Sequence, residues 1–199
     1  KPFFSSSFRA FGVSSRAAAA MRFERSVVRI AEPFYLVLGC GDTGHRLARV
    51  FDRLATRFVV VEKSAARLEE LELEDFRTDL LALNADASEP QVLVRAGLRH
   101  PMCRGALALT NDDTANLAVV TAARLLNPSL QVIARTQSVE TAALMNSFGK
   151  PQVINPFEAF AEHLMLAMRA PGGYRLFDWL TAPQDTELAK EHEPPRGLW

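Results

Sequence analysis

From Phe34 onward the chain alternates between two hydrophobic patterns. Six short runs are apolar on both faces: Phe34–Leu38, Phe58–Val61, Leu80–Leu83, Gly105–Leu109, Leu130–Ala134 and Gln152–Ile154. Short, two-sided apolar runs spaced by helix-length segments read as buried parallel strands. The segments between them carry a helical period. In the first, Leu47, Ala48, Val50, Phe51, Leu54 and Ala55 form one apolar face, with Arg46, Arg49, Asp52 and Arg53 largely opposite. Asp113–Leu126 repeats the theme and stops before Asn127-Pro128, a helix-breaking pair. Ser88, ahead of Glu89 and Pro90, reads as an N-cap with proline in the first turn, and Asp112 is a second good cap. Six strands alternating with helices predict an α/β fold: an open, doubly wound, parallel six-stranded sheet with right-handed crossovers.

Both ends break this pattern. Phe157, Ala159, Phe160, Ala161, Leu164, Met165, Leu166, Ala167 and Met168 are apolar almost all round one helix. Such a helix must be covered on more than one side, deep in its own domain or against a partner subunit. After Ala170 come Pro171-Gly172-Gly173, an amphipathic piece (Tyr174–Leu180) and a polar, Pro-rich tail, so residues 171–199 read as a linker. Residues 1–33 read as a basic leader with serine clusters and Ala17–Ala20. Six basic residues against Glu24 and Glu32 give the first 34 residues an excess of four positive charges. That suits an organellar transit peptide, the cytoplasmic flank of a membrane helix, or a solvated leader with no task. The globular domain is then residues 34–170. Removing residues 1–30 is expected to leave ligand affinity nearly unchanged, because the site described next begins at Gly39.

Composition narrows the classes. With 199 residues, 48% hydrophobic and 23% charged, the chain can bury a sizeable core without disulfides or metals. Lys+Arg 23 balance Asp+Glu 23, so no global basic field points to a nucleic-acid partner. Cys40 and Cys103 make no disulfide framework and favour a reducing compartment. No run of 18 or more apolar residues occurs. Disordered, collagenous and disulfide-scaffold classes are excluded.

The informative motif is Gly39-Cys40-Gly41-Asp42-Thr43-Gly44, a G-x-G-x-x-G that follows one predicted strand and opens a predicted helix. Gly39 permits the tight turn, Gly41 lets a pyrophosphate approach the backbone, and Gly44 lets helix pack on strand. Phosphates then sit against the free N–H groups and positive end of the helix. Glu62 lies 18 residues past Gly44, at the end of the second strand, where a carboxylate accepts from ribose hydroxyls. Two more strand ends fall on the same edge, before Asn84-Ala85-Asp86-Ala87-Ser88 and Thr110-Asn111-Asp112-Asp113. Asp86 can accept from an adenine amino group, and Thr110 and Asn111 can line the phosphate crevice. Helix capping competes with those roles, above all at Ser88 and Asp112.

Taken together, these residues resemble a known family. The glycine turn, the strand-end carboxylate, Asp86-Ala87-Ser88, Ala96-Gly97-Leu98, Thr110 to Asp113 with Asn116, Ala134-Arg135 and Ile154-Asn155-Pro156 occur in the family's order. The chain is similar over residues 34–170 to the RCK (regulator of K⁺ conductance) domain, also called the Trk-type or KTN domain. The resemblance implies a Rossmann-like fold with a C-terminal crossover helix, on the cytoplasmic face of the inner membrane. It implies NAD(H) or an adenine nucleotide (ADP, ATP or AMP) as ligand. By the same resemblance Gly39, Gly41, Asp42, Thr43 and Gly44 serve the phosphates, Glu62 the ribose, and Asp86 with Ala87 the adenine; Lys63, next to Glu62, is a further candidate ligand contact. Thr110, Asn111 and Arg135 line the phosphate side. Expected partners are the membrane pore or transporter part of the same protein, a second copy through the 157–168 helix, and a higher ring assembly. Two departures stand out. Ala85 replaces the glycine usual before the Asp-Ala pair, and with only about 30 residues after the crossover helix the smaller C-terminal lobe of many members is expected to be absent or cut away. The ending Pro194-Pro195-Arg196-Gly197-Leu198-Trp199 resembles the approach to a second such domain.

A regulatory domain, not an enzyme, is the expected class. An NAD-dependent oxidoreductase fragment is the alternative, but it needs a proton-transfer group beside the nicotinamide. None of His45, His100, His163 and His192 pairs with a nucleophile, and no spacing suits a metal. Glu62 favours a free 2′-hydroxyl over a 2′-phosphate, with Lys63 partly offsetting that repulsion.

Overall fold

The computed structural model describes residues 7–149 and 151–181 of the chain. Two compact units divide it, residues 1–153 and 154–199. The first holds a sheet in the order β3-β2-β1-β4-β5-β6, the reversal from β1 to β4 marking a doubly wound α/β fold. The strands are β1 (Phe34–Leu38), β2 (Arg57–Glu62), β3 (Leu81–Asn84), β4 (Cys103–Ala108), β5 (Gln131–Arg135) and β6 (Gln152–Ile154). All six predicted strands are present, β1 and β6 with the predicted bounds and the other four with ends shifted by one or two residues. β1 pairs in parallel with β2 and β4, β2 with β3, and β4 with β5.

Side chains alternate across this sheet, which is why the middles of its central strands are apolar on both faces. Leu36, Leu38, Val59 and Val61 face one core with α4 (Pro90–Arg95), α5 (Asp113–Leu126) and Met145 of α6 (Val139–Ser147). Val37, Phe58 and Val60 face the other with α2 (Asp42–Arg53) and α3 (Ala65–Glu72).

The segment read as a leader contains a helix, α1 (Ser7–Val28). Phe23, Val27 and Ile30, close to the start of β1, are buried in the first of these cores. Gly97 receives α1 closely: a Cβ there would stand 2.8 Å from Val27 Cγ1 and 3.0 Å from Phe34 Cζ. Glu24 also pairs with Arg95 at the end of α4. A sequence rule went astray at α4. Its N-cap is Glu89, which makes no side-chain bond, and Ser88 instead bonds to Asp86. Pro90 opens the helix as expected.

The second unit contains α7 (Pro156–Arg169) and α8 (Pro171–Thr181). Asn155 caps α7, its side chain accepting from the Phe157 and Glu158 N–H groups. Within the unit His163 lies against Phe177, with ring centroids 4.6 Å apart. No residue of α7 is buried, and Phe157 and Phe160 are each 64% exposed. The predicted amphipathic piece Tyr174–Leu180 falls inside α8. The tail's resemblance to a further domain, and His192, lie outside the described residues. Among the described residues no helix is long and apolar enough to cross a membrane.

Candidate functional site

The carboxyl ends of β1 to β4 and the loops that follow them enclose a cavity of about 450 Å³. It lies where the strand order reverses, the place at which open α/β sheets bind ligands. The sequence-predicted residues Gly39, Gly41, Glu62, Lys63, Asp86, Ala87, Thr110 and Asn111 all line it. Asp42 and Thr43 are exposed in the first turn of α2, Gly44 is buried behind the glycine turn, and Arg135 reaches the cavity only through Asn111.

The three glycines act differently. Gly39 has φ +96°, and a Cβ on it would lie 2.8 Å from the Thr110 nitrogen, so this turn is pressed against the end of β4. A Cβ on Gly44 would sit 2.2 Å from the Gly39 carbonyl oxygen, which fixes how α2 meets the turn. Gly41 is the N-cap of α2 and offers no capping side chain, leaving the first N–H groups of the helix free of one. The nearest atom to a Cβ on Gly41 would be Arg67 Nη1, at 3.2 Å.

Glu62, only 7% exposed, ties two turns together. Its Oε2 accepts from the Cys40 N–H at 2.5 Å and its Oε1 from the Ser64 N–H at 2.7 Å. Ser64 in turn caps α3. Burial, with Glu62 nearby, pushes the Cys40 thiol up to about 11, so this cysteine stays a neutral packing group.

Asp86 bridges the β3 side. Its Oδ2 lies 2.7 Å from Lys63 Nζ, and its Oδ1 accepts from the Ser88 N–H and hydroxyl at 2.9 and 2.7 Å. The bond from Lys63 and those from Ser88 hold the Asp86 carboxyl at about 2. The same pairing raises Lys63, through its hydrogen bond first and charge second. On the β4 side Asn116, fully buried, makes four bonds. Its Oδ1 accepts from the Thr110 N–H at 3.1 Å and hydroxyl at 2.8 Å, and its Nδ2 donates to the carbonyls of Thr110 and Arg135, both at 2.9 Å. Asp112 caps α5, accepting from Thr114 and Ala115. Asp113 accepts from Thr136, Gln137 and Ser138, and these bonds outweigh its burial and hold its carboxyl below the ordinary value.

Arg67, Ser88 and Thr114 also line the cavity, and motif reading did not assign them a ligand role. A cation in the first turn after a strand-end carboxylate was the available signal for Arg67. No described histidine lines the cavity. His45 meets Glu74 at 2.5 Å, and His100 Nδ1 accepts from the Met102 N–H. Among the described residues no cluster of His, Cys, Asp or Glu is placed to hold a metal.

The chain is similar to several known proteins. It is 23% identical over 123 residues to Potassium channel protein 1 of Methanocaldococcus jannaschii, covering 62% of this chain and 36% of that one. It is 26% identical over 141 residues to the putative K(+) efflux antiporter KefB of Alkalimonas amylolytica, covering 68% and 20%. It thus spans about a third or less of these relatives. Among solved structures, the TrkA-N domain of the inner membrane protein ybaL from Escherichia coli matches with TM-score 0.60 and 24% identity, over 71% of this chain and 99% of that one. A GsuK channel bound to NAD matches with TM-score 0.57 and 21% identity, over 73% and 25%. The Shewanella denitrificans Kef CTD in AMP-bound form matches with TM-score 0.56 and 16% identity, over 79% and 96%. These structural likenesses are of fold. The sequence model of the TrkA-N domain matches residues 35–156, well over half the chain. The chain belongs to the TrkA-N domain family.

Proposed function

We propose that this chain is the ligand-sensing regulatory domain of a potassium channel or transporter, and that it binds NAD(H) or an adenine nucleotide (ADP, ATP or AMP). The observation that carries the reading is the buried Glu62 carboxylate at the end of β2, facing one cavity with the glycine turn. The atoms present fit such a ligand. Gly41 leaves open the space a Cβ would take, and α2 offers N–H groups and the positive end of its dipole to phosphate. Asp42 and Thr43 belong to that first turn, and Gly39 and Gly44 set its position. Glu62 retains lone pairs for ribose hydroxyls, with Lys63 beside it, while Asp86 and Ala87 stand where an adenine edge would be read. Thr110 and Asn111 form the opposite wall, Asn111 held by Arg135.

Relatives named as potassium channels and an antiporter, of which this chain spans a fraction, support a regulatory role at the inner face of the cell membrane, without turnover. The exposed phenylalanines of α7 support a homodimer through residues 157–168, and rings built from such dimers. Calorimetry with NADH, NADPH, ADP and AMP tests the ligand. NADH or an adenosine phosphate should bind, and NADPH more weakly than NADH, because its 2′-phosphate meets Glu62. Absence of binding by every one of these ligands overturns the reading.

A further inference from the structure

We infer that Arg67 is the counter-ion for the phosphate groups of the ligand, and that it makes the site select phosphorylated adenosine over adenosine itself. The inference rests on the proposed nucleotide function. Its basis is the disposition of charge around the cavity.

Three carboxylates line this space, Glu62, Asp86 and Asp112, against two cations, Lys63 and Arg67. An anionic ligand is repelled by such a lining unless a cation is free to meet it. Lys63 is committed, with its ammonium 2.7 Å from Asp86 Oδ2. Arg135, the other cation assigned by motif, is engaged by the Asn111 side chain. Arg67 differs. Among the described residues its guanidinium has no carboxylate within ion-pair distance and no side-chain hydrogen bond. Both Glu62 oxygens are instead occupied by backbone N–H groups.

Its position then decides its partner. Arg67 is the third residue of α3, and Ser64, which caps this helix, accepts from the Arg67 N–H. From there its side chain lines the cavity and reaches Gly41, where Nη1 stands 3.2 Å from the site of the missing Cβ. The bare face of Gly41 is where backbone and helix N-terminus admit phosphate. A guanidinium over that face and the free N–H groups of α2 together clamp an anion from two sides. A planar fork of donors matches phosphate oxygens in pairs, which an ammonium does not. Adenosine, with no phosphate, gains nothing from either jaw.

The test is calorimetry on the full chain with ADP and adenosine, comparing wild type with Arg67→Gln and Arg67→Lys. Arg67→Gln should weaken ADP on the order of 10- to 100-fold, the range for a lost charged hydrogen-bond partner. Adenosine should bind Arg67→Gln as it binds wild type, and Arg67→Lys should recover ADP affinity only in part. Arg67 is exposed on a surface helix, so the unliganded melting temperature should be unchanged. If wild type binds ADP and Arg67→Gln binds it equally, the inference fails and the nucleotide reading stands. It fails also if Arg67→Gln weakens adenosine as much as ADP. If wild type binds none of NADH, NADPH, ADP and AMP, the functional reading itself falls.

Discussion

Glu62, a proposed ligand contact, also holds the turns of its cavity together. Removing its carboxylate strands the N–H groups of Cys40 and Ser64 in a buried corner, so Glu62→Ala should cost stability as well as affinity. The expected loss is about 1–3 kcal/mol by urea unfolding, with NADH affinity down roughly 10- to 100-fold. Unchanged stability would show that those N–H groups find other partners. Asp86 sets a second expectation. Its carboxyl titrates near 2 in the folded chain against 3.8 ordinarily, chiefly through Lys63 and then Ser88. A depressed folded value means the stabilisation is complete above about pH 4 and drains away as pH falls towards 2. Lys63 is 78% exposed, so solvent screening holds the whole effect to about 1 kcal/mol or less. Asp86→Asn should therefore lose less stability than wild type between pH 5 and pH 2.5, measured by urea unfolding at each pH. Equal losses would mean the pair contributes nothing. At this scale the motif residues were legible because a glycine turn and a strand-end acid have fixed spacing. Ser88 misled because Asp86, two residues back, offers it a stronger partner than the helix does. Arg67 belongs to no motif, and its one sequence signal is a cation in the first turn after the strand-end acid.

Elements were easier to read where apolar periodicity was strong, and the strands and α5 show this. Their ends shifted because ladder pairing is decided by the neighbouring strand: β2 extends to Glu62 through its pairing with Asn84 of β3. α1 was not legible. Its apolar positions have no helical period, and residues near its end, among them Phe23 and Val27, are buried in a core of the sheet. The burial of these anchors has a consequence for truncation. Phe23→Ala should cost about 3 kcal/mol or more by leaving a cavity in the core of the sheet, seen as a lower urea midpoint with an unchanged slope. Cutting at residue 30 removes Phe23, Val27 and Ile30 together and should destabilise the chain further. A truncated chain starting at Phe34 that melts like the full one would show that the α1 anchors add nothing.

At the scale of the whole molecule, α7 presents Phe157, Phe160 and Met168 at 64%, 64% and 78% exposure. Apolar area of that kind marks an interface, and the all-round apolar pattern of this helix was readable from sequence alone. Light scattering at about 50 μM should give twice the monomer mass, and Phe157→Asp with Phe160→Asp should return it to one, in the regime where two-sided interfaces of standard size persist. A strict monomer for the wild type would remove the proposed dimer. The two walls of the crevice, meanwhile, are held by different means. The β4 wall is held by Asn116 through four bonds with its own strand end and that of β5, whereas the β3 wall combines two bonds from Asn84 to the Glu62 and Lys63 carbonyls with the exposed Lys63–Asp86 ion pair. Added electrolyte loosens such a pair and so frees Asp86, while it weakens the hold of a cationic clamp on phosphate. The two effects oppose each other. Under the proposed regulatory role, the ionic strength that potassium transport alters would therefore also be an input to this crevice.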